Sequence, residues 1–327
     1  MNDSRRENGD PVLSIRDLVV SYRVGRRRIV AVDGVSIDVY RNECVAIVGE
    51  SGSGKSTLSL AIMRLLPPSA AIERGVVLFK GRNLLELSEK ELQKIRGREI
   101  SMVFQDPTSY LNPVYKIGDQ LVETILTHNS DMSGNEARAR AIELLKSVGI
   151  PSPERALTYY PHQLSGGMNQ RVSIALALAT NPSILIADEP TSALDLTIQA
   201  QILRLLKDLM RRLSLSIILI THDLGLVAYL ADRVYVMYSG KVMEEDAVGS
   251  MFSNPKHPYT QLLLNSVRII YGLDTSARVE RTEGHLTDTK GCRFRHRCPY
   301  ALSRCESQEP PLVPLNSGKV VRCWLYG

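Results

Sequence analysis

A chain of 327 residues, 44% of them hydrophobic, can bury a large core and carry one large domain with one or two small additions. Its net charge of +5 is mild and its basic residues are scattered, which argues against a nucleic-acid footprint. No stretch approaches the roughly 20 apolar residues of a membrane-spanning helix, and the polar, mixed-charge residues 1–10 do not read as a signal peptide, so a cytosolic chain is expected.

Residues 12–40 read as antiparallel strands: Val35, Ile37 and Val39 alternate with Ser36 and Asp38, the period of a half-buried strand. The basic run Arg26, Arg27 and Arg28 is expected in an exposed hairpin. Residues 44–48 are apolar on both faces, as in a strand buried inside an α/β sheet. They run into Gly49, Glu50, Ser51, Gly52, Ser53, Gly54, Lys55 and Ser56, followed by a predicted helix with Leu58, Ile62, Leu65 and Leu66 on one face. Residues from about 108 to 165 show helical periodicity without a convincing strand. There Ser133 and Glu136 fit a capping box, Ala141, Leu144, Leu145 and Val148 form an inner face, and Gly149 ends the helix. Short apolar strands are predicted at 184–187, 216–220 and 234–237. A helix between the first two carries Ile198, Ile202, Leu205, Leu206 and Leu209 on one face. Alternating strands and helices predict a mainly parallel sheet covered on both sides. Beyond about 254 the composition shifts to prolines (Pro255, Pro258, Pro299, Pro310, Pro311, Pro314) with few helical patterns. Four of the five cysteines fall in the last 36 residues. A disulfide framework does not suit a cytosolic chain, so this clustering points to a metal or a cluster. Cys44, in the core strand, is expected to be a packing residue.

Residues 49–56 match the phosphate-binding loop in full and sit between a strand and a helix, as the mechanism demands. Glycines let the backbone wrap so that N–H groups face phosphates beside a helix N-terminus. Lys55 would neutralise the β- and γ-phosphates, and Ser56 would place its hydroxyl on Mg²⁺. The apolar strand at 184–187 ends in Asp188 and Glu189. Asp188 suits a Mg²⁺ partner and Glu189 a general base on the attacking water.

The stretch Leu164, Ser165, Gly166, Gly167, Met168, Asn169, Gln170, Arg171 resembles the ABC signature motif. Ser192, Ala193, Leu194 and Asp195 look like the D-loop, His222 like the switch histidine, Gln105 like the Q-loop glutamine, and Tyr22 like the aromatic residue that stacks on adenine. Each alone is weak, yet all occur in order around one phosphate loop, and the resemblance covers residues 12–250. It implies a RecA-like P-loop NTPase core with an antiparallel β subdomain and an inserted helical subdomain. It also implies ATP and Mg²⁺ as ligands. Residues 49–56 and Thr57 would hold the phosphates, Gln105 would join Ser56 and Asp188 at Mg²⁺, and Gln105 and His222 would assist Glu189. Ser165, Gly166, Gly167 and Asp195 would act on nucleotide held by a partner, so a second ABC ATPase subunit is required. That subunit is a copy of this chain or, as expected here, a sister chain. Asn169 stands where many members carry a basic residue, and a modest effect is expected because it follows the phosphate-contacting glycines.

Residues 254–266 resemble a stretch of dipeptide/oligopeptide importer ATPases, although Val267 replaces a usual proline. Cys292, Cys298, Cys305 and Cys323, with Gly291, Pro299 and Trp324, match that family's cysteine pattern, while residues 282–290 lack its prolines. The spacing is wider than in zinc ribbons, and the resemblance implies a 4Fe–4S cluster, with zinc as the alternative. Arg293, Arg295, Arg297 and His296 would either offset the cluster's charge or form a solvated basic loop. The expected organisation is a polar tail at 1–11, an ATPase domain at 12–253 with a helical subdomain at about 108–165, and an extension at 254–327. The resemblance implies an importer ATPase on the cytoplasmic face of the membrane, with two permease subunits, an extracytoplasmic solute-binding protein and no nucleic acid. The solute it implies is a peptide, with nickel or oligosaccharide as alternatives. The rival is a soluble ABC ATPase on DNA or ribosomes, but no long coiled-coil insertion and no second ATPase unit is present. An exporter fits the core and not the extension.

Overall fold

The computed structural model describes residues 9–106, 110–192, 194–270 (the backbone alone at 267–270), 290–315 and 318–327. The first eight residues of the expected polar tail, Ala193, the side chain of Val267 and the linker at 282–289 lie outside the described residues. The chain divides into two compact units: one drawn from the stretches up to Tyr40, from Cys44 to Asn83 and from Thr221 onward, the other from Arg41–Glu43 and Leu84–Ile220.

The first unit holds β1 (Leu13–Val24), β2 (Arg27–Val39), β3 (Cys44–Val48), β4 (Ala70–Phe79) and β5 (Arg82–Asn83). Later in the chain it adds β9 (Arg233–Tyr238), β10 (Lys241–Ala247), β11 (Leu312–Pro314) and β12 (Val320–Arg322). One antiparallel sheet has the order β2-β1-β4-β5. Its register sets Leu13 opposite Val39, Ile15 opposite Ile37 and Leu18 opposite Val35, so the alternating residues of β2 face the core as read from the sequence. β4 was not foreseen, because Glu73, Arg74 and Gly75 break its apolar pattern. There β1 slips register between Arg16 and Val19, and the strands approach closely: a Cβ on Gly75 would stand 2.6 Å from Leu18 Cα.

The remaining strands of this unit pair in sequence. β3 runs parallel to β9, with Val45 opposite Arg233 and Val48 opposite Val236. β9 and β10 are antiparallel, β12 adds to β10 with Val321 opposite Glu244, and β11 pairs β12. Leu312–Pro314 and Val320–Arg322 thus extend the sheet that contains the strand leading into the phosphate loop. Two helical expectations need correction. The helix after that loop spans Lys55–Ile62 only, and Leu65 is exposed, because Arg64 turns into the left-handed region at φ 49°. The proline-rich tail holds a helix of 13 residues, Pro258–Ile270, that starts on its proline and buries Tyr259 and Leu264.

In the second unit β6 (Ile100–Val103), β7 (Ile184–Asp188) and β8 (Ser216–Thr221) are parallel, with Ile100 opposite Ile184 and Ile184 opposite Ser216. All three are buried throughout, as expected of parallel strands covered on both faces. β6 escaped the sequence reading because four residues carry no period. Helices Ile117–His128, Gly134–Ser147 and Pro153–Ala156 form the predicted helical stretch. Ser133 and Glu136 make the reciprocal capping box there, and Ala141, Leu144 and Leu145 are buried. The helix Leu196–Leu213 buries Ile202, Leu205, Leu206 and Leu209 of the stripe its spacing predicts, while Ile198 in its first turn stays half-buried.

Candidate nucleotide site

The phosphate loop leaves the buried strand β3 at Gly49 and enters the helix Lys55–Ile62 through Gly54, which caps it with no side-chain bond. Two close approaches require glycine. A Cβ on Gly49 would stand 2.1 Å from the Met237 carbonyl oxygen, and one on Gly54 would stand 2.2 Å from that of Ala31. Gly54 also holds φ 100°, which an L side chain rarely adopts. Backbone N–H groups at a helix N-terminus suit an anion, which makes this end a candidate phosphate seat. Lys55 is 5% exposed, and its Nζ donates to the carbonyls of Gly49 at 2.8 Å and Glu50 at 2.9 Å. Its cation is thus folded over the loop. Ser53 accepts a longer bond from it at 3.4 Å. Tyr22 and Thr57 share a hydroxyl–hydroxyl bond of 3.2 Å, tying the expected adenine platform on β1 to the helix that follows Ser56.

In the second unit, Asp188 ends β7 at 5% exposure, a buried hard-oxygen donor of the kind Mg²⁺ takes. Glu189 follows in the left-handed region at φ 46°, held by its N–H donating to Ile220 O at 2.8 Å. Its Oε2 accepts from Gln105 Nε2 at 2.9 Å, so two expected catalytic residues 84 apart in sequence meet. Ser165 caps the helix Gly166–Ala177 by accepting from the Met168 N–H at 3.3 Å. Gly167 packs against the helix after the D-loop, and a Cβ there would stand 2.6 Å from Ile198 Cγ2. Asp195 caps that second helix, accepting from the N–H groups of Thr197 and Ile198 at 3.1 and 3.0 Å. Asn169 turns inward at 4% exposure and donates to Pro161 O at 3.0 Å. It therefore braces the signature segment, which the sequence reading had not foreseen. His222 is exposed in the first unit.

The four tail cysteines line one cavity with His257, Phe294 and Trp324. Their soft thiol donor set suits iron or zinc. The expected four-thiolate centre is nevertheless not shown: among the described residues no group of three or more His, Cys, Asp or Glu side chains is arranged to hold a metal ion. Burial pushes the Cys292 thiol up to about 11 and raises those of Cys298 and Cys323, each with help from neighbouring cysteines. The surroundings therefore favour protonated thiols in this arrangement.

The cationic residues between the first two cysteines divide: Arg295 lines the cysteine cavity, His296 is exposed, and Arg293 and Arg297 turn to partners outside it. Arg297 donates from both terminal nitrogens to Glu50, at 2.8 and 2.9 Å. Arg293 donates to Ser239 O and to Asp33, and Arg295 to Lys290 O at 2.7 Å. Tyr259, fully buried, accepts the Glu50 N–H at 2.9 Å. Arg297 and Tyr259 were missed as neighbours of the phosphate loop. The available signal was an arginine one residue before a cysteine in a chain whose loop carries an acidic residue at its second position.

A family model for "ABC transporter" matches residues 32–192, and one for "Oligopeptide/dipeptide transporter, C-terminal region" matches 243–305. The chain is 48% identical over 318 residues to the oligopeptide transport ATP-binding protein OppD of Bacillus subtilis (strain 168), covering 96% of this chain and 88% of the relative. It is 49% identical over 319 residues to the dipeptide transport ATP-binding protein DppD of the same organism, covering 97% and 95%. Among solved structures, the dimeric ATP-binding cassette MJ0796, bound to ADP and Pi in a post-hydrolysis state, superposes with a TM-score of 0.65 at 34% identity. The match covers 72% of this chain and 98% of that one. Glycine-bound loop, buried lysine, paired carboxylates and capped signature helix thus lie on a chain that belongs to the ATP-binding subunits of ABC transporters, in their oligopeptide/dipeptide branch.

Proposed function

We propose that this ATPase powers uptake of peptides through a separate membrane permease. The observation that carries the hydrolytic reading is Glu189, whose carboxylate is held by Gln105 at the end of a buried strand. It is the general base that takes a proton from the attacking water, while Gln105 orients its oxygen. Lys55 and the backbone N–H groups of residues 49–57 bind the β- and γ-phosphates, and Tyr22 takes the adenine face. Ser56, Asp188 and Gln105 supply oxygens for Mg²⁺, which neutralises phosphate charge when bound. His222 assists at the γ-phosphate. Ser165, Gly166, Gly167 and Asp195 serve the nucleotide of a second ATPase subunit, best taken as a sister chain. Leu196, beside Asp195 and 83% exposed, is the apolar residue such a partner would cover.

The peptide substrate is supported by the tail's match and by the names of the relatives, which describe oligopeptide and dipeptide transport. No helix among the described residues is long and apolar enough to cross a membrane. As a subunit of such an importer the chain works from the cytoplasmic face, on two permease subunits fed by an extracytoplasmic solute-binding protein. Co-expression with such a permease pair in proteoliposomes should give ATP-dependent uptake of a short peptide, abolished by Glu189→Gln. Uptake of nickel or an oligosaccharide instead, or purification with ribosomes or DNA, would overturn this assignment.

The convergence of Cys292, Cys298, Cys305 and Cys323 on one cavity supports a second component, an iron–sulfur cluster held by these thiols after proton release. Anaerobically purified protein should then contain iron and acid-labile sulfide. Zinc without sulfide would replace the cluster by a structural zinc site.

A further inference from the structure

One arginine of the cysteine-bearing segment contacts the phosphate loop directly, and a second binds the turn that holds the loop's Ser53 carbonyl. Arg297 clamps the Glu50 carboxylate with a bidentate bond, and the pair is sheltered, with side-chain exposures of 14% and 38%. The guanidinium also lies 5.8 Å from the ring centres of Tyr238 and Phe294, within an aromatic group that includes Tyr259. Tyr259 holds the backbone N–H of the same Glu50. Arg293 binds the Ser239 carbonyl, and the next residue, Gly240, donates to Ser53 O at 2.9 Å. Both arginines lie between Cys292 and Cys298, within one compact unit with the loop.

We infer that Arg297 is a positioning residue of the ATPase: through Glu50 it fixes the entrance of the phosphate loop, so the cysteine segment of the tail sets the affinity for nucleotide. The inference rests on ATP binding at residues 49–57. Bidentate guanidinium–carboxylate pairs fix orientation as well as distance, and a lysine cannot reproduce the fork. A loop whose N–H groups must converge on phosphate oxygens loses binding when its first turn is free to shift. The contact to the loop is made by the Glu50 side chain, so Arg297 acts on the loop through that residue.

The test uses the full chain and a fluorescent ATP analogue, with melting temperatures as a fold check. Wild-type protein is expected to bind the analogue. Arg297→Ala should weaken binding roughly tenfold, a change of about 1.4 kcal/mol, and Arg297→Lys should fall between the two. Glu50→Gln should also weaken binding, and the Glu50→Gln/Arg297→Ala double variant should bind no worse than the weaker single one, since both remove one interaction. Arg304→Ala, which frees the same tail from the carbonyls of Trp324 and Gly327, should bind as wild type does. Additive losses in the double variant, equal weakening by Arg304→Ala, or wild-type affinity in Arg297→Ala and Arg297→Lys would each overturn the positioning role. Failure of the wild-type chain to bind the analogue would overturn the ATP site itself. Should Arg297→Ala not fold, Arg297→Lys and Glu50→Gln decide the question.

Discussion

Gln105 and Glu189 stand just past the ends of the adjacent parallel strands β6 and β7, and the amide of one donates to the carboxylate of the other across 2.9 Å. The contact holds one oxygen of the Glu189 carboxylate in place. Glu189→Gln removes the proton acceptor and keeps the shape. It should slow phosphate release by at least about 100-fold with ATP affinity retained. Gln105→Ala should lower kcat by a smaller factor, about tenfold, by freeing the carboxylate to rotate.

Gly167 has no room for a side chain on the face toward Ile198. Gly167→Ala places a methyl 2.6 Å from Ile198 Cγ2, and the two helices must separate or one rotamer must strain. Loss of about 1–3 kcal/mol of stability is expected in chemical unfolding. Pairing it with Ile198→Ala should recover part of that loss, which separates packing from any role of the glycine N–H in nucleotide contact.

Asn169 donates to Pro161 O from a buried position. Asn169→Ala removes one of two donors to that carbonyl, which keeps the Leu164 N–H at 3.1 Å, and opens space at the start of the signature helix. A cost of about 0.5–1.5 kcal/mol is expected, together with faster hydrogen exchange over residues 161–170. A merely solvated residue at this position would leave both measurements unchanged.

The β1 strand that carries Tyr22 is pinned at Ser21, whose hydroxyl donates to Glu73 at 2.6 Å, and Glu73 also receives Arg28. The Arg28 hydrogen bond, then that of Ser21, lowers the Glu73 carboxyl from its ordinary 4.5 to about 2. Because the folded value lies below the unfolded one, the contribution is fully present above pH 4.5 and is lost as pH falls toward 2. Carboxyl NMR titration should show Glu73 returning toward 4.5 in Arg28→Ala. The difference in unfolding midpoint between that variant and wild type should shrink over the same interval.

What the sequence made legible follows from where information is local. The phosphate loop, the capping box at Ser133 and the helix stripe from Ile202 to Leu209 are written in spacings of a few residues. Glu189 was identified by its place after an apolar strand and Gln105 by resemblance to a family pattern, while their contact needed the parallel pairing of β6 with β7. β6 itself has four residues and no period to detect. The tail was harder. Its prolines suppressed the expectation of a helix, although Pro258 merely opens one. Its arginines suggest only a cluster counter-charge or a solvated loop, because nothing local shows that Arg297 meets Glu50. The metal centre inferred from cysteine spacing was a claim about three-dimensional convergence. The described residues deliver the shared cavity and not a formed ligand set.

The clamp between Glu50 and Arg297 joins residues separated by 247 positions. A ribosome adding roughly 5–20 residues per second makes the loop about 12–50 s before its arginine. Strands β11 and β12 arrive later still. During that interval the emerging chain holds a phosphate loop without its clamp and, once Lys241–Ala247 is made, a sheet edge at β10 without its covering strand. Nascent chains of this protein therefore present an open β edge during synthesis, the stage at which chaperone capture or pairing with a neighbouring nascent chain competes with folding.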